Sequence, residues 1–273
     1  MNKKSFLKTL ALGLILAFLA GSALSAFSFQ NVKAATTIVV NSTVDKVSLD
    51  GLCTLREAII NANRDKALFI KTGECAAGSG ADTITVPAGT YILTRLGYGD
   101  EDFMNDGDLD VNSDLTINGA GPGKTIIDTS AFSDTIFHII KGKVSISGMT
   151  IRGGNPSGDG GAIYNLGNLT SNLTLNNVVI TNNKAGGRGA GIYNASTGTL
   201  VVTNSTISSN TAGGAGGGIF NDGGTLRIAN STLSDNVTKL DGGGLYNKGT
   251  VNLNNATITN NTANNANKNK YNP

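Results

Sequence analysis

Short apolar stretches recur along the chain, and from residue 82 onward each is broken by Gly, Asn, Ser or Thr before it reaches the length of a helix. Within them apolar residues alternate with polar ones or run for three positions, as in Leu226-Arg227-Ile228 and Leu200-Val201-Val202. That is the period of a strand, and no 3.6-residue apolar stripe crosses the repeating part. Two motifs recur in fixed order. Gly160-Gly161-Ala162-Ile163-Tyr164-Asn165 returns as Gly189-Ala190-Gly191-Ile192-Tyr193-Asn194, as Gly216-Gly217-Gly218-Ile219-Phe220-Asn221 and as Gly242-Gly243-Gly244-Leu245-Tyr246-Asn247. Interleaved with them are Val179-Ile180-Thr181-Asn182-Asn183, Thr206-Ile207-Ser208-Ser209-Asn210, Thr232-Leu233-Ser234-Asp235-Asn236 and Thr257-Ile258-Thr259-Asn260-Asn261. The closing Asn steps by 29, 27 and 26 residues in the first motif and by 27, 26 and 25 in the second.

A unit of about 26 residues holding three short strands and three turns is one coil of a parallel β-helix, each strand pairing with its counterpart in the next coil about 4.8 Å away. A leucine-rich repeat of similar length needs a helical or compact second limb, which these Gly/Asn/Ser/Thr limbs do not supply. A β-sandwich would not hold two motifs in constant register. Looser coils extend upstream, through Thr83-Ile84-Thr85-Val86 with Tyr91-Ile92-Leu93, through Leu115-Thr116-Ile117 with Thr125-Ile126-Ile127, and through 136–151. The pattern therefore predicts an all-β, single-stranded parallel β-helix, a solenoid of roughly seven coils over 81–262.

The ends of such a rod are open sheet edges and call for cover. Thr54 followed by Glu57 is a capping-box sequence. Leu55, Ala58, Ile59 and Ala62 then share one helical face, so a capping helix over 54–63 is expected within an N-terminal cap spanning 35–80. At the other end, the Asn/Lys-rich segment 263–273 is expected to be a disordered tail whose Lys268, Lys270 and Pro273 oppose edge pairing. Lys3, Lys4 and Lys8 precede an uncharged run over 9–31, the layout of a secretory signal peptide. Cleavage is readable after Ala23-Leu24-Ser25 or after Val32-Lys33-Ala34. The second is favoured, giving a signal over 1–34, because an extended pattern begins at Thr36. An uncleaved anchor is the alternative, since 10–27 nearly spans a bilayer. No second hydrophobic stretch follows, so the mature chain is expected to lack a transmembrane segment and to be secreted, either released or held at the cell surface.

Composition removes other classes. Apolar residues at 39% suffice for a core, which a disordered chain would lack. With 37 Gly but 4 Pro and no triplet period, collagen is excluded. A net charge of +2 gives no nucleic-acid footprint. Cys53 and Cys75 are the two cysteines. In an exported chain a pair reads as a disulfide rather than a metal site, with two free thiols as the alternative.

Cys53-Thr54-Leu55-Arg56-Glu57-Ala58-Ile59, followed by Asn61-Ala62-Asn63, resembles the N-terminal CSLREA-type motif of exported bacterial β-helix proteins, with Thr54 where that motif usually has Ser. Either residue caps a helix. Asp82-Thr83-Ile84-Thr85-Val86-Pro87-Ala88-Gly89-Thr90-Tyr91 and Gly107-Asp108-Leu109-Asp110-Val111 look like the next two landmarks of that group. Gly160-Gly161-Ala162-Ile163 is similar to repeats of polymorphic outer-membrane proteins. Together these cover nearly all of the chain after residue 34. The resemblance implies a right-handed, pectate-lyase-like solenoid at the cell surface, with adhesion as the usual role. Members often carry a C-terminal anchor or barrel; none is legible here, so the chain is expected to be released or to belong to something longer.

Candidate chemistry is sparse. Hydrolysis of a polysaccharide needs two carboxylates across the scissile bond. The clear repeats hold Asp159, Asp222, Asp235 and Asp241 at different phases, so no stacked pair is legible. The lone His138 lies in the apolar run 136–140 and reads as structural. Asp106, Asp108 and Asp110, within an acidic cluster that includes Asp100, Glu101, Asp102 and Asp114, are hard oxygen ligands that could hold Ca²⁺, although the spacing is not that of an EF-hand. A solvated acidic loop is the plainer reading, and no other cofactor is implied. The rows Asn165, Asn194, Asn221, Asn247 and Asn183, Asn210, Asn236, Asn261 are expected to be structural ladders. Tyr164, Tyr193, Phe220 and Tyr246 each sit between an inward Ile or Leu and an inward Asn, so they should point outward as a stripe able to meet sugar rings, or simply stack on one another. Two functions remain, with a structural coat component as a third. One is a binding or adhesion solenoid for an extracellular glycan or cell-surface ligand. The other is a polysaccharide-degrading lyase or glycosidase. Oligomeric state is open.

Overall fold

Alternating strands build a core only if equivalent residues land on one another, and here they do. Ile38, Ile84, Ile117, Ile146, Leu175, Val202, Ile228 and Leu253 occupy one register position on eight parallel strands. The structure, a computed structural model, describes residues 33–95, 106–129, 133–167 and 171–264. Residues 1–32 of the predicted signal and 265–273 of the predicted tail lie outside the described residues.

Among the described residues, three parallel sheets, of 13, 6 and 4 strands, wrap one apolar core. In a regular coil the chain runs through Ile192–Asn194 in the six-stranded sheet, Thr199–Thr203 and Thr206–Ser208 in the large sheet, and Thr211–Ala212 in the four-stranded sheet. The rod is a parallel β-solenoid of about six turns, one fewer than the repeat spacing predicts. The upstream coils are longer. Ile84 to Ile117 takes 33 residues and Ile117 to Ile146 takes 29, against 25 from Ile228 to Leu253.

The abundance of Asn has two physical causes. The bend inside each coil needs a left-handed residue, and Asn177, Asn204, Asn230 and Asn255 supply it at φ 53, 51, 49 and 50. Asn tolerates that region because its short side chain bonds locally. The second cause is satisfaction of buried polar groups. Asn165 donates to Asn194 at 2.6 Å, Asn194 to Asn221 at 2.7 Å and Asn221 to Asn247 at 2.6 Å. Asn183, Asn210, Asn236 and Asn261 form a second ladder at 2.9, 2.9 and 3.0 Å, each donor also reaching a backbone carbonyl. Glycine is required where coils come closest. A Cβ on Gly191 would run into the carbonyl oxygen of Gly218, and one on Gly218 into that of Gly244.

The helix Leu55–Arg64 closes the N-terminal end. Thr54 accepts from the Glu57 amide while the Glu57 carboxylate accepts from the Thr54 amide, a complete capping box. Cys53 and Cys75 are bonded beside it. Arg56 is buried, pairing with Asp45 at 2.7 Å and donating to the carbonyls of Gly107 and Asp108 at 2.8 and 2.9 Å. Burial alone would raise the Asp45 pKa. The Arg56 hydrogen bond and charge, with the amides of Thr94 and Arg95, outweigh it and hold the carboxyl below its usual range.

Arg56→Met leaves Asp45 buried without its cation, and a loss of about 3–5 kcal/mol is expected. Asn221→Leu interrupts the first ladder and should cost about 1–3 kcal/mol. Both are read as lowered urea midpoints; a wild-type midpoint in either variant would remove that interaction from the account of stability.

Candidate functional site

On a strand of three residues the outer two face one way and the middle one the other. The six-stranded sheet stacks Leu109–Val111, Phe137–Ile139, Ile163–Asn165, Ile192–Asn194, Ile219–Asn221 and Leu245–Asn247 in register. Their middle residues are Asp110, His138, Tyr164, Tyr193, Phe220 and Tyr246. These form a single file on the side away from the main core, beginning with an acid and an imidazole and continuing as four rings. The rings stack face to face with centroids 4.9, 5.5 and 4.9 Å apart and planes within 6° of parallel. His138 meets Tyr164 edge-on at 5.2 Å.

The aromatic row points away from the core but is not an open stripe. Tyr193 is 5% exposed and Phe220 1%, while Tyr164 and Tyr246 are half-buried. The Arg188 guanidinium lies 4.9 Å from the Tyr193 ring centre and 4.7 Å from that of Phe220, and the Lys248 ammonium 5.1 Å from Phe220. Both faces of the Tyr193 and Phe220 rings are taken by their neighbours in the column, so these cations lie along the side of the stack rather than over an open face. Arg188 is held by Asp159 at 2.7 Å and by Asp222 at 3.3 Å. Asp222 also accepts from the Tyr193 hydroxyl at 2.7 Å and from Lys248 at 2.9 Å. Asp159 and Asp222, which look unrelated in repeat phase, thus converge on one guanidinium. A signal for this was present: Asp159 and Arg188 both immediately precede the glycine motif, placing opposite charges on neighbouring coils.

Burial pushes the Tyr193 hydroxyl above the ordinary phenol range, and its bond to Asp222 adds to the shift. Burial alone would raise Asp222, but the hydrogen bonds from Lys248 and Tyr193 and the adjacent cations keep it below the usual carboxylate range.

At the other end of the file lies a cavity of about 360 Å³, lined by Asp108, Ser133, Asp134, Thr135, His138, Pro156, Ser157, Gly158, Asp159 and Tyr164. Beside it His138 Nδ1 stands 3.3 Å from an Asp110 oxygen and 4.0 Å from an Asp108 oxygen. Asp106 is not part of this group, for it pairs with Arg95 at 2.7 Å. Asp114 accepts from the Lys143 amide, and Asp100, Glu101 and Asp102 fall outside the described residues. His138, read from the sequence as structural, packs between its neighbours as such a residue would, yet its ring reaches the cavity wall. Three carboxylates, four hydroxyls counting that of Tyr164, and an imidazole give this cavity the donors and acceptors a polyol needs.

Fold and site together define a single-chain parallel β-solenoid bearing a file of stacked side chains. Residues 177–195 match the Chlamydia polymorphic membrane protein repeat. That segment holds a left-handed corner at Asn177, a rung of each Asn ladder and Tyr193, so it corresponds to most of one coil. No curated protein and no solved structure matches the chain. Among the described residues no helix is long and apolar enough to cross a membrane.

The ion network makes stability pH-dependent. Asp222 has a lowered pKa when folded, so its contribution is present above the unfolded carboxylate value of about 3.9 and disappears as pH falls through the folded one. Asp222→Asn should therefore be less stable than wild type from pH 5 to 8, with the gap in urea midpoint closing as pH drops below about 3.9. A gap independent of pH would show that the Asp222 charge contributes nothing.

Proposed function

We propose that this chain is an extracellular, surface-displayed binding solenoid that takes glycans at the cavity beside Tyr164. The observation that carries the reading is the position of that cavity. It opens at the end of the aromatic file where a ring is half-exposed, and its walls are carboxylates and hydroxyls. Sugar rings present C–H faces to an aromatic and hydroxyls to such a wall. The match to a polymorphic membrane protein repeat supports a surface setting, as do the signal-like N-terminus and the resemblance of 53–63 to exported β-helix proteins. The rings of Tyr193 and Phe220, roofed by Arg188, stiffen the rod, so the ligand contact of the aromatic row falls to its Tyr164 end, with Tyr246 at the far end as a second, weaker contact.

Polysaccharide cleavage is the second reading, and one observation favours it: Asp108 and Asp134 face a single cavity, with Asp159 beside them tied to Arg188. Hydrolysis uses two carboxyl groups of that kind.

Incubation of the chain with a panel of cell-wall and host-surface glycans, scored for retention and for released products, tests both. Tyr164→Ala is expected to weaken retention about fivefold or more, since stacking on an aromatic contributes on the order of 1 kcal/mol and the ring also walls the cavity. Tyr246→Ala should retain most of the binding. Equal retention by wild type and Tyr164→Ala would place the ligand elsewhere, and released oligosaccharide would favour the enzymatic reading.

A further inference from the structure

We infer that Asp108, Asp110 and His138 form a binding site for a divalent transition-metal ion of the Zn²⁺ class. The three side chains come from two neighbouring coils, and one ligand atom from each lies within 4.8 Å of the other two. Two ligands held about 2.1 Å from one ion are themselves roughly 3.0–3.4 Å apart. The 3.3 Å between His138 Nδ1 and Asp110 Oδ1 has that value, and Asp108 Oδ2 lies 4.0 Å from the same nitrogen. The donor set decides the metal. Ca²⁺ takes six to eight oxygens, whereas one imidazole with two carboxylates suits Zn²⁺ and its neighbours. Asp106, the third member of an all-oxygen set, is engaged by Arg95 instead.

The site is built rather than incidental. Asp110 and His138 are 1% and 3% exposed, unlike the acids of a solvated loop. Their strands pair in register, with Asp110 directly opposite His138. The capping helix holds the backbone at both carboxylate-bearing residues. Arg56 donates to the Asp108 carbonyl at 2.9 Å, Asn63 donates to the Asp110 carbonyl at 2.7 Å, and the Asn112 amide donates back to Asn63 at 3.0 Å. The Tyr164 ring meets the imidazole from the next coil in a T-shaped contact. Restrained ligands of this kind lose little freedom on binding an ion. Asp108 and His138 also line the cavity, so a bound ion would border it. The inference stands apart from glycan binding and is tested without a glycan.

The chain contains a single histidine, which gives a direct readout. Untagged protein, stripped with EDTA, is titrated with Zn²⁺ by calorimetry and by ¹H–¹⁵N correlation of the imidazole. One Zn²⁺ per chain is expected, with displaced His138 ring signals and at least tenfold weaker binding by Asp108→Asn. Asp108 is the least buried of the three ligands, and circular dichroism checks that this variant folds; if it does not, the wild-type imidazole signals decide. No bound Zn²⁺, binding that leaves the His138 signals in place, or undiminished affinity in folded Asp108→Asn would each overturn the inference.

Discussion

Constant register between successive coils is the constraint on which everything else in this rod depends. Parallel strands about 4.8 Å apart put each side chain directly over its equivalent, so a residue can be satisfied by a copy of itself. An Asn, which carries both a donor and an acceptor on one amide, is suited to such a column, and an aromatic ring is suited for the same reason. A slip of one residue in a single coil would turn Ile192 outward and Tyr193 inward, and would break both Asn ladders there. The glycines at the tight corners serve the same constraint, because neither Gly191 nor Gly218 has room for a side chain against the next coil.

Within that frame the six-stranded sheet carries two environments along one file. Downstream, aromatic rings stack and are covered by Arg188, itself tied to carboxylates on either side. Upstream, the coils do not repeat, and the equivalent positions hold Asp110 and His138. The N-terminal cap is what fixes the geometry of this upstream end. Its helix shields the first coil, but Arg56 and Asn63 also reach past it to hold the backbone at Gly107, Asp108 and Asp110. Sealing the sheet edge and positioning the polar group are thus one structural act. The buried Arg56–Asp45 pair lets a charged residue do this without being left alone in the core.

Much of the fold was legible in the chain because its determinants are local or strictly periodic. The strand alternation, the two Asn rows, the outward direction of the rings and the Thr54–Glu57 capping box each follow from residues at fixed short spacing. The repeat spacing predicts roughly seven coils where the rod has about six turns, because the spacing of the regular C-terminal repeats does not extend to coils as long as 33 residues.

What only the tertiary structure decided lies between coils. His138 reads as a core residue within 136–140, and its neighbours Phe137 and Ile139 are indeed core; alternation sends the imidazole alone to the opposite face, where coil length then brings it over Asp110. Arg188 closes the aromatic row because the position before its glycine motif stacks over Asp159, while Asp222 comes up from the next coil. In both cases the partners are about 30 residues apart. Their meeting is set by the exact length of the intervening coil, a quantity that the repeat determines where it is regular and that only the folded chain fixes where it is not.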